Sequence, residues 1–481
     1  MLEFVPPSLM QVHRTLLNSQ SVRQLEFSHQ LVTQKDVHFT PLGVIKFMKR
    51  LLGVILVALM LVPASAARAD SPQVTVMTRN LYLGADVGVA MDLIPNLSAA
   101  AQFMWDQVKA TNFNKRAPKL AAEVIAARPD VIGIQEATIW FCKKNAWSKR
   151  TEVFNFTDQF LAATKAQGQE YVLASKDGKT ALNTGYSIAA VPFVTMVNDP
   201  ETFQPLFGQD KAACGFEIAD ALAIRAELAQ KVLAVGTTEY ETTYTIVPTI
   251  MTIYRGYSWA DIQIGNTPVR FVTTHLESLW DENKIPNAAK QAQQLIADLK
   301  ETKQPIVIMG DFNSDPRDPR IPDDPNAGGQ PTASDVCPAG SSVCNAYLLM
   351  REAGFRDVGP DALDPMNNTW GMNALLTGPD PDRLKYSQQL GNFAGYSDRL
   401  DYIFVRNGAV PVSSRIIGAT PPNNLATDHA GVVSLIRIDS TVTERSQNLP
   451  EHAPFPISFW QWVGIALFLI IVGMIARKRF R

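Results

Sequence analysis

Ile306-Val307-Ile308-Met309-Gly310-Asp311-Phe312-Asn313-Ser314-Asp315-Pro316 is the stretch on which the reading of this chain turns. Its short apolar run reads as a buried strand that ends and at once presents polar groups. Gly310 lets the chain turn sharply, and Asp311 and Asn313, two residues apart, face the same side. The same letters also fit an ordinary strand-ending Asx turn, so the stretch gains its meaning from its company.

Three further segments share the design. Phe271–Thr274 leads to His275-Leu276-Glu277, and Val131–Ile134 leads to Gln135-Glu136, where the carboxylate reads as a metal ligand or a salt-bridge partner. Ala426-Thr427-Asp428-His429-Ala430-Gly431 precedes the apolar run Val432–Ile436 and sets an acceptor beside a titratable imidazole. Just upstream, Ser397–Phe404 opens a strand in which alternation turns Asp401 inward toward an imidazole, while Arg399 holds either Asp401 or an anion.

Around these, Val74–Thr78 alternates into Arg79-Asn80, and Tyr171–Ala174, Ser187–Val191, Val232–Val235 and Val269–Thr273 read as further strands. Ser98–Asn112, Pro118–Ala127 and Asp281–Lys300 read as helices, the last long and amphipathic. Asp199–Arg225 and Asp315–Ser342 read as loop-like insertions. Strands and helices interleave without a linker or repeat, which makes one α/β domain over residues 70–440.

With 481 residues, 46% of them apolar and 19% charged, the chain is neither disordered nor a multi-span membrane protein. Its net charge of −2 conceals an uneven distribution. Residues 1–69 hold 7 basic against 3 acidic side chains and residues 441–481 hold 5 against 2, leaving −9 for the body. Such a body does not attract polyanions. Of six histidines only His275 and His429 fall within it.

The ends carry address. Met48-Lys49-Arg50, the apolar run Leu51–Val62 and Ala67-Arg68-Ala69 give residues 48–69 the form of a secretory signal peptide, so residues 1–47 read as an extension upstream of the true start. Residues 441–456 form a proline-bearing stalk, 457–476 a transmembrane helix with Trp460 and Trp462 at its outer end, and 477–481 a basic cytoplasmic tail. The expected localisation is the cell membrane, single-pass, with the domain extracytoplasmic. Cys142, Cys214, Cys337 and Cys344 allow three pairings, of which Cys337–Cys344 is the most local and leaves Cys142–Cys214.

The order Thr78-Arg79-Asn80-Leu81-Tyr82, Ile134-Gln135-Glu136-Ala137, Thr274-His275-Leu276, Gly310-Asp311-Phe312-Asn313, Thr369-Trp370, Asp398–Phe404 and Thr427-Asp428-His429 resembles the endonuclease/exonuclease/phosphatase superfamily of DNase I-like metal-dependent phosphoesterases. The resemblance implies a four-layered α/β/β/α sandwich whose strand ends converge on one divalent-metal site. It also implies roles: Asn80, Glu136 and Asp428 toward Mg²⁺ (Mn²⁺ or Ca²⁺ in its place), His429 as general base with Asp401 behind it, and Asp311 positioning the water. Asn313 would hold a phosphate oxygen, and His275 would protonate the leaving group or stabilise the transition state.

The function so implied is phosphodiester hydrolysis by metal-assisted, in-line attack of a His-activated water. The substrate stays open between extracellular DNA or RNA, a lipid headgroup cleaved in the manner of a phospholipase C or sphingomyelinase, and a small phosphoester. A non-catalytic surface-binding module on the same fold is the alternative from another class.

Overall fold

The fold is described from a computed structural model, which covers residues 71–439 apart from 146, 196–201, 203, 210, 248–250, 322–330, 372–380 and 420–425. The signal peptide, stalk, transmembrane helix and tail expected from the sequence lie outside the described residues. Among the described residues no helix is long and apolar enough to cross a membrane.

In chain order the strands are β1 (Gln73–Asn80), β2 (Val131–Gln135), β3 (Ile139–Lys143), β4 (Arg150–Asn155), β5 (Tyr171–Leu173), the ribbon β6 (Ser175–Lys176) and β7 (Lys179–Thr180), β8 (Leu182–Thr195) and β9 (Lys211–Arg225). Then follow β10 (Val232–Glu239), the hairpin β11 (Tyr244–Val247) and β12 (Met251–Ile253), β13 (Gly256–Ile264), β14 (Thr267–His275), β15 (Ile306–Asp311), β16 (Arg356–Asp357), β17 (Asp401–Arg406), β18 (Ala409–Ile417) and β19 (Gly431–Ile438). The helices that matter here are α1 (Val87–Asp92), α2 (Leu97–Thr111), α3 (Phe113–Ala127), α4 (Phe156–Ala166), α5 (Asn287–Leu299) and α6 (Ala346–Glu352).

Two mixed sheets result. One runs β18-β19-β1-β2-β9-β3-β4, with β5 and β8 also on β9; the other runs β10-β13-β14-β15-β17-β16. The side-chain period of two then sorts each strand between two cores. Val307 and Met309 of β15 meet Val74, Val76, Val131 and Leu222 between the sheets. Ile306 and Ile308 face the other way, onto Ala292 and Leu295 of α5 and Met350 of α6. On the far side of the first sheet, Met77, Ile132 and Ile134 pack on α2, α3 and α4 through Trp105, Leu120 and Phe160. The layers are therefore helices, sheet, sheet, helices, as the resemblance implied.

Each inner strand is buried on both faces, which is why β15 reads as an unbroken apolar run rather than an alternating one. The sheets approach closely at Gly133, where a Cβ would lie 2.7 Å from Met309 Cβ and 2.9 Å from Thr273 Oγ1. Beside it, Gln135 spans the gap by donating to Thr273 Oγ1 (2.9 Å) while accepting from Thr78 Oγ1 (3.0 Å). The cysteines pair as Cys142–Cys214, across directly opposed positions of β3 and β9, and Cys337–Cys344.

Two expectations are corrected. The region Asp199–Arg225, read as a loop-like insertion, ends in β9, a 15-residue strand that pairs with β2, β3, β5 and β8. Its alanine-rich sequence has little β-propensity, and burial on both faces erases any alternation. The helix expected from Asp281 starts at Asn287. Pro286 disfavours a helical residue before it, and Asp281 instead caps a turn by accepting from the Asn283 and Ile285 amides.

Candidate active site

Strand pairing places the site residues side by side. β14 and β15 are parallel with His275 opposite Asp311, and β15 and β17 are antiparallel with Asp311 opposite Asp401. All three share the parity of the residues between the sheets, as Asn80 does on β1, following Val74, Val76 and Thr78. Glu136 follows the end of β2, and Asp428 and His429 precede β19, which pairs with β1. The expected site residues thus gather at one rim of the sandwich, where Glu136, His275, Asp311, Asn313, Asp428 and His429 line a cleft of about 470 Å³ and the buried Asn80 and Asp401 stand behind them.

Asp311 Oδ2 is the centre of the arrangement. Asn80 Nδ2 donates to it at 3.1 Å, His429 Nε2 lies at 3.5 Å and His275 Nε2 at 3.7 Å. Its Oδ1 accepts the Asn313 amide at 2.9 Å. His429 Nδ1 meets Asp401 Oδ2 at 2.8 Å, with both side chains buried. Burial alone would lower the pKa of this imidazole, but Asp401, Asp311 and Asp428 outweigh it and lift it to about 10. Asp311 is itself pushed up to about 7, first by burial, then with Asp401 and Glu136 opposing the pull of His429. Both shifts favour a proton at this buried site.

His275 has the opposite setting. Arg255 Nη1 lies 3.0 Å from its Nδ1, and a guanidinium can only donate, so Nδ1 accepts and the ring proton sits on Nε2, toward the cleft. Burial, then the charges of Arg255 and His429, hold its pKa well below the usual histidine range. Arg255 is anchored in turn by Glu277 Oε2 at 3.3 Å.

Asn80 Oδ1 accepts the Tyr82 amide at 2.8 Å, and its NH₂ is turned to Glu136 Oε1 and Asp311. Asn313 gives one amide hydrogen to Leu276 O at 2.8 Å and keeps the other for the cleft it lines. Of the two parts open to Arg399, the structure shows the contact with Asp401: its guanidinium donates to the carbonyls of Asp401 and Asn367. Tyr82, Glu136 and Asn313 all have positive φ, at 57°, 54° and 44°. Such strain in non-glycine residues costs of order 1–3 kcal/mol each and gathers where geometry serves function.

Oxygen ligands for a hard divalent cation are present. Glu136 and Asp428 line the same cleft, and burial, with Glu136 adding repulsion, raises the Asp428 carboxyl to about 6. Two repelling carboxylates at a half-buried rim fit a cation. A second set, Asp311, Asp401 and His429, brings ligand-type atoms within 4.8 Å of one another. There, however, Asp401 and His429 already satisfy each other, and Asp401 is sealed from the cleft.

Several supporting residues received no role in the sequence reading. Arg79 donates to His429 O and pairs with Glu123 at 2.8 Å, fixing the His429 backbone from the helix side. Thr369 Oγ1 accepts the amides of both Leu400 and Asp401 at 3.1 Å, while Thr369 O accepts the Ala430 amide at 2.7 Å. The Thr369-Trp370 string so staples the start of β17 to the segment bearing His429, and Trp370 Nε1 donates to Asp428 Oδ2 at 3.3 Å. Arg255 alone left no trace, because a single arginine before a strand has no pattern.

Residues 221–429 match the model of the Endonuclease/Exonuclease/phosphatase family. No curated protein matches the chain. Among solved structures, the endonuclease/exonuclease/phosphatase from Beutenbergia cavernae is similar at 14% identity, covering 76% of this chain and 72% of that one with a TM-score of 0.41. A family protein from Leptotrichia buccalis is similar at 15% identity, covering 76% and 99%, with a TM-score of 0.41. D. rerio TDP2 complexed with a single-strand DNA product is similar at 15%, covering 76% and 99%, with a TM-score of 0.39. The family match encloses His275, Asp311, Asp401 and His429, and identifies segment 221–429 as similar to the endonuclease/exonuclease/phosphatase family.

Proposed function

We propose that the chain is a phosphodiesterase that cleaves its substrate by attack of a water activated by His429. The observation that carries this is the Asp401–His429 contact of 2.8 Å with Asp311 on the imidazole's other side. Asp401 accepts the Nδ1 proton, which fixes the tautomer and leaves Nε2 toward the cleft as the base. Asp311, beside that nitrogen, orients the water. Asn313 offers its remaining amide hydrogen to a phosphate oxygen, and His275, neutral with Nε2–H toward the cleft, donates to charge developing in the transition state. A ring held neutral by Arg255 is a poor proton donor, so of the two roles open to His275 we assign stabilisation.

Glu136 and Asp428 are the residues to hold a divalent cation, Mg²⁺ by the preference of carboxylate oxygens, with Asn80 orienting Glu136. Such a cation supplies charge neutralisation at the phosphate and, by repelling the imidazolium, lowers the pKa of His429.

The cleft's charge bears on substrate. Its described lining contains Asp86, Glu136, Glu277, Asp311, Asp318, Asp398 and Asp428 against a single arginine, Arg255. This favours a single phosphodiester group over a polynucleotide, whose backbone needs a track of cations. Export through residues 48–69 and anchoring through residues 457–476 complete the proposal and place the enzyme outside the cell membrane; membrane fractionation with N-terminal sequencing tests both.

Bis-p-nitrophenyl phosphate tests the activity. EDTA should abolish hydrolysis and Mg²⁺ restore it, His429→Ala or Asp311→Ala should cost at least ~10²-fold, and Glu136→Gln should raise the Mg²⁺ requirement. Unchanged turnover in the His429 or Asp311 variant would overturn the assignment.

A further inference from the structure

Next to the cleft, and sharing lining residues with it, lies a second cavity of about 70 Å³ between α1, α2, β9 and the β11–β12 hairpin. Val87, Met91 and Ile253 line both spaces, and Ala101, Met104 and Phe216 line the second alone. Its described lining carries no charged side chain. The one polar side-chain group among those residues, Trp140 Nε1, already donates to Leu83 O at 2.8 Å.

We propose that this cavity receives an alkyl chain esterified to the phosphoryl group, so that the enzyme selects amphiphilic phosphodiesters. This rests on the phosphodiesterase reading of the adjoining cleft. At roughly 10–15 Å³ of such space for each water-sized group, the cavity holds about five methylene or methyl groups. A nucleobase entering it would surrender its hydrogen bonds to water and find no donor or acceptor in exchange. An alkyl chain loses nothing and leaves water, while its phosphate stays among Asn313, His275 and the acidic rim. The acidic cleft and the apolar annex thus select the same molecule: one phosphodiester unit with a short apolar arm.

The test uses p-nitrophenyl alkyl phosphates from methyl to octyl, with the thymidine ester as a polar comparison. Water's oxygen forms the new bond to phosphorus and p-nitrophenolate leaves with the electron pair of the broken one. kcat/KM should rise about twofold to fourfold per methylene up to about pentyl and then level, and the thymidine ester should fall below the pentyl ester. Ala101→Phe, which fills the cavity, should bring the pentyl-to-methyl ratio close to one; Ile246→Asn, in the hairpin lining, serves if that variant fails to fold.

Calorimetric titration with the corresponding alkylphosphonates in Mg²⁺ should show Kd falling along the same series. Turnover without chain-length dependence, or preference for the thymidine ester, overturns the alkyl subsite and leaves the catalytic reading intact. Absence of all turnover overturns the catalytic reading, and the phosphonate titration then decides the subsite by itself: a Kd indifferent to chain length refutes it.

Discussion

Replacing Asp401 with asparagine isolates the contact on which the proposed chemistry depends. Asp401 Oδ2 and His429 Nδ1 are 2.8 Å apart and buried, so the carboxylate's charge acts on the imidazolium with little screening. For charge centres about 4 Å apart at an effective dielectric of about 20, that attraction is about 4 kcal/mol, or about three in pKa. It is the largest of the attractions that lift His429 to about 10. Its removal should bring the imidazole down by about that much, since burial goes on penalising the charged form. The base works only when unprotonated, so activity rises as pH climbs through its pKa, and a lower pKa moves that rise to lower pH.

Asparagine also presents both an oxygen and an NH₂. Asp401 Oδ1 has no hydrogen-bond partner in its buried setting, so nothing prevents the amide from turning its NH₂ to Nδ1. That orientation puts the ring proton on Nε2, the wrong nitrogen for a base. The expected loss in kcat is therefore about 10³-fold, within the range of a missing general base. The pH profile of kcat/KM on methyl p-nitrophenyl phosphate, from pH 5 to 10, and NMR titration of the histidines check both parts. An unmoved profile together with less than tenfold loss would refute the reasoning.

Arg255→Met removes the donor that keeps His275 Nδ1 an acceptor; the pKa of His275 should rise, adding a second ionisation to the pH profile, and kcat should fall about 10-fold or more as the ring loses its orientation. An unchanged profile would return Arg255 to a purely structural part. The double variant Cys142→Ser/Cys214→Ser opens a cross-link between positions 72 apart, which by loop entropy stabilises the fold by about 4 kcal/mol. Urea unfolding should register that loss, and one under 1 kcal/mol would contradict the estimate.

Much of this site could be read from the chain because it is built from strand ends. The period of two groups side chains by face from sequence alone: Asp311 goes with Val307 and Met309, and Asp401 with Ile403 and Val405, although in β15, apolar on both faces, packing decides which face lies between the sheets. The same rule on β1 separates Asn80 from Arg79, which turns to Glu123 on α3. Parity failed at β9, where alanines buried on both sides left no alternation, and a principal strand looked like an insertion. It failed also at Pro286, where an amphipathic pattern extended past the point at which the backbone could remain helical.

What the sequence determined by itself was therefore the inventory and its facing: two histidines in the body, carboxylates at strand ends, and the side of each strand from which they project. What only the tertiary structure decided was the protonation of those histidines and the direction of the amides. His429 is pushed toward its charged form because Asp401 and Asp311 close on it from other strands, and His275 is pushed toward its neutral form, with its one proton on Nε2, because burial and the Arg255 guanidinium at Nδ1 oppose a second proton. Asn80 turns its NH₂ to the carboxylates because the Tyr82 amide holds its oxygen. Strand parity is a local property of the backbone, whereas a proton's position depends on distances of about 3 Å between groups that only packing brings together.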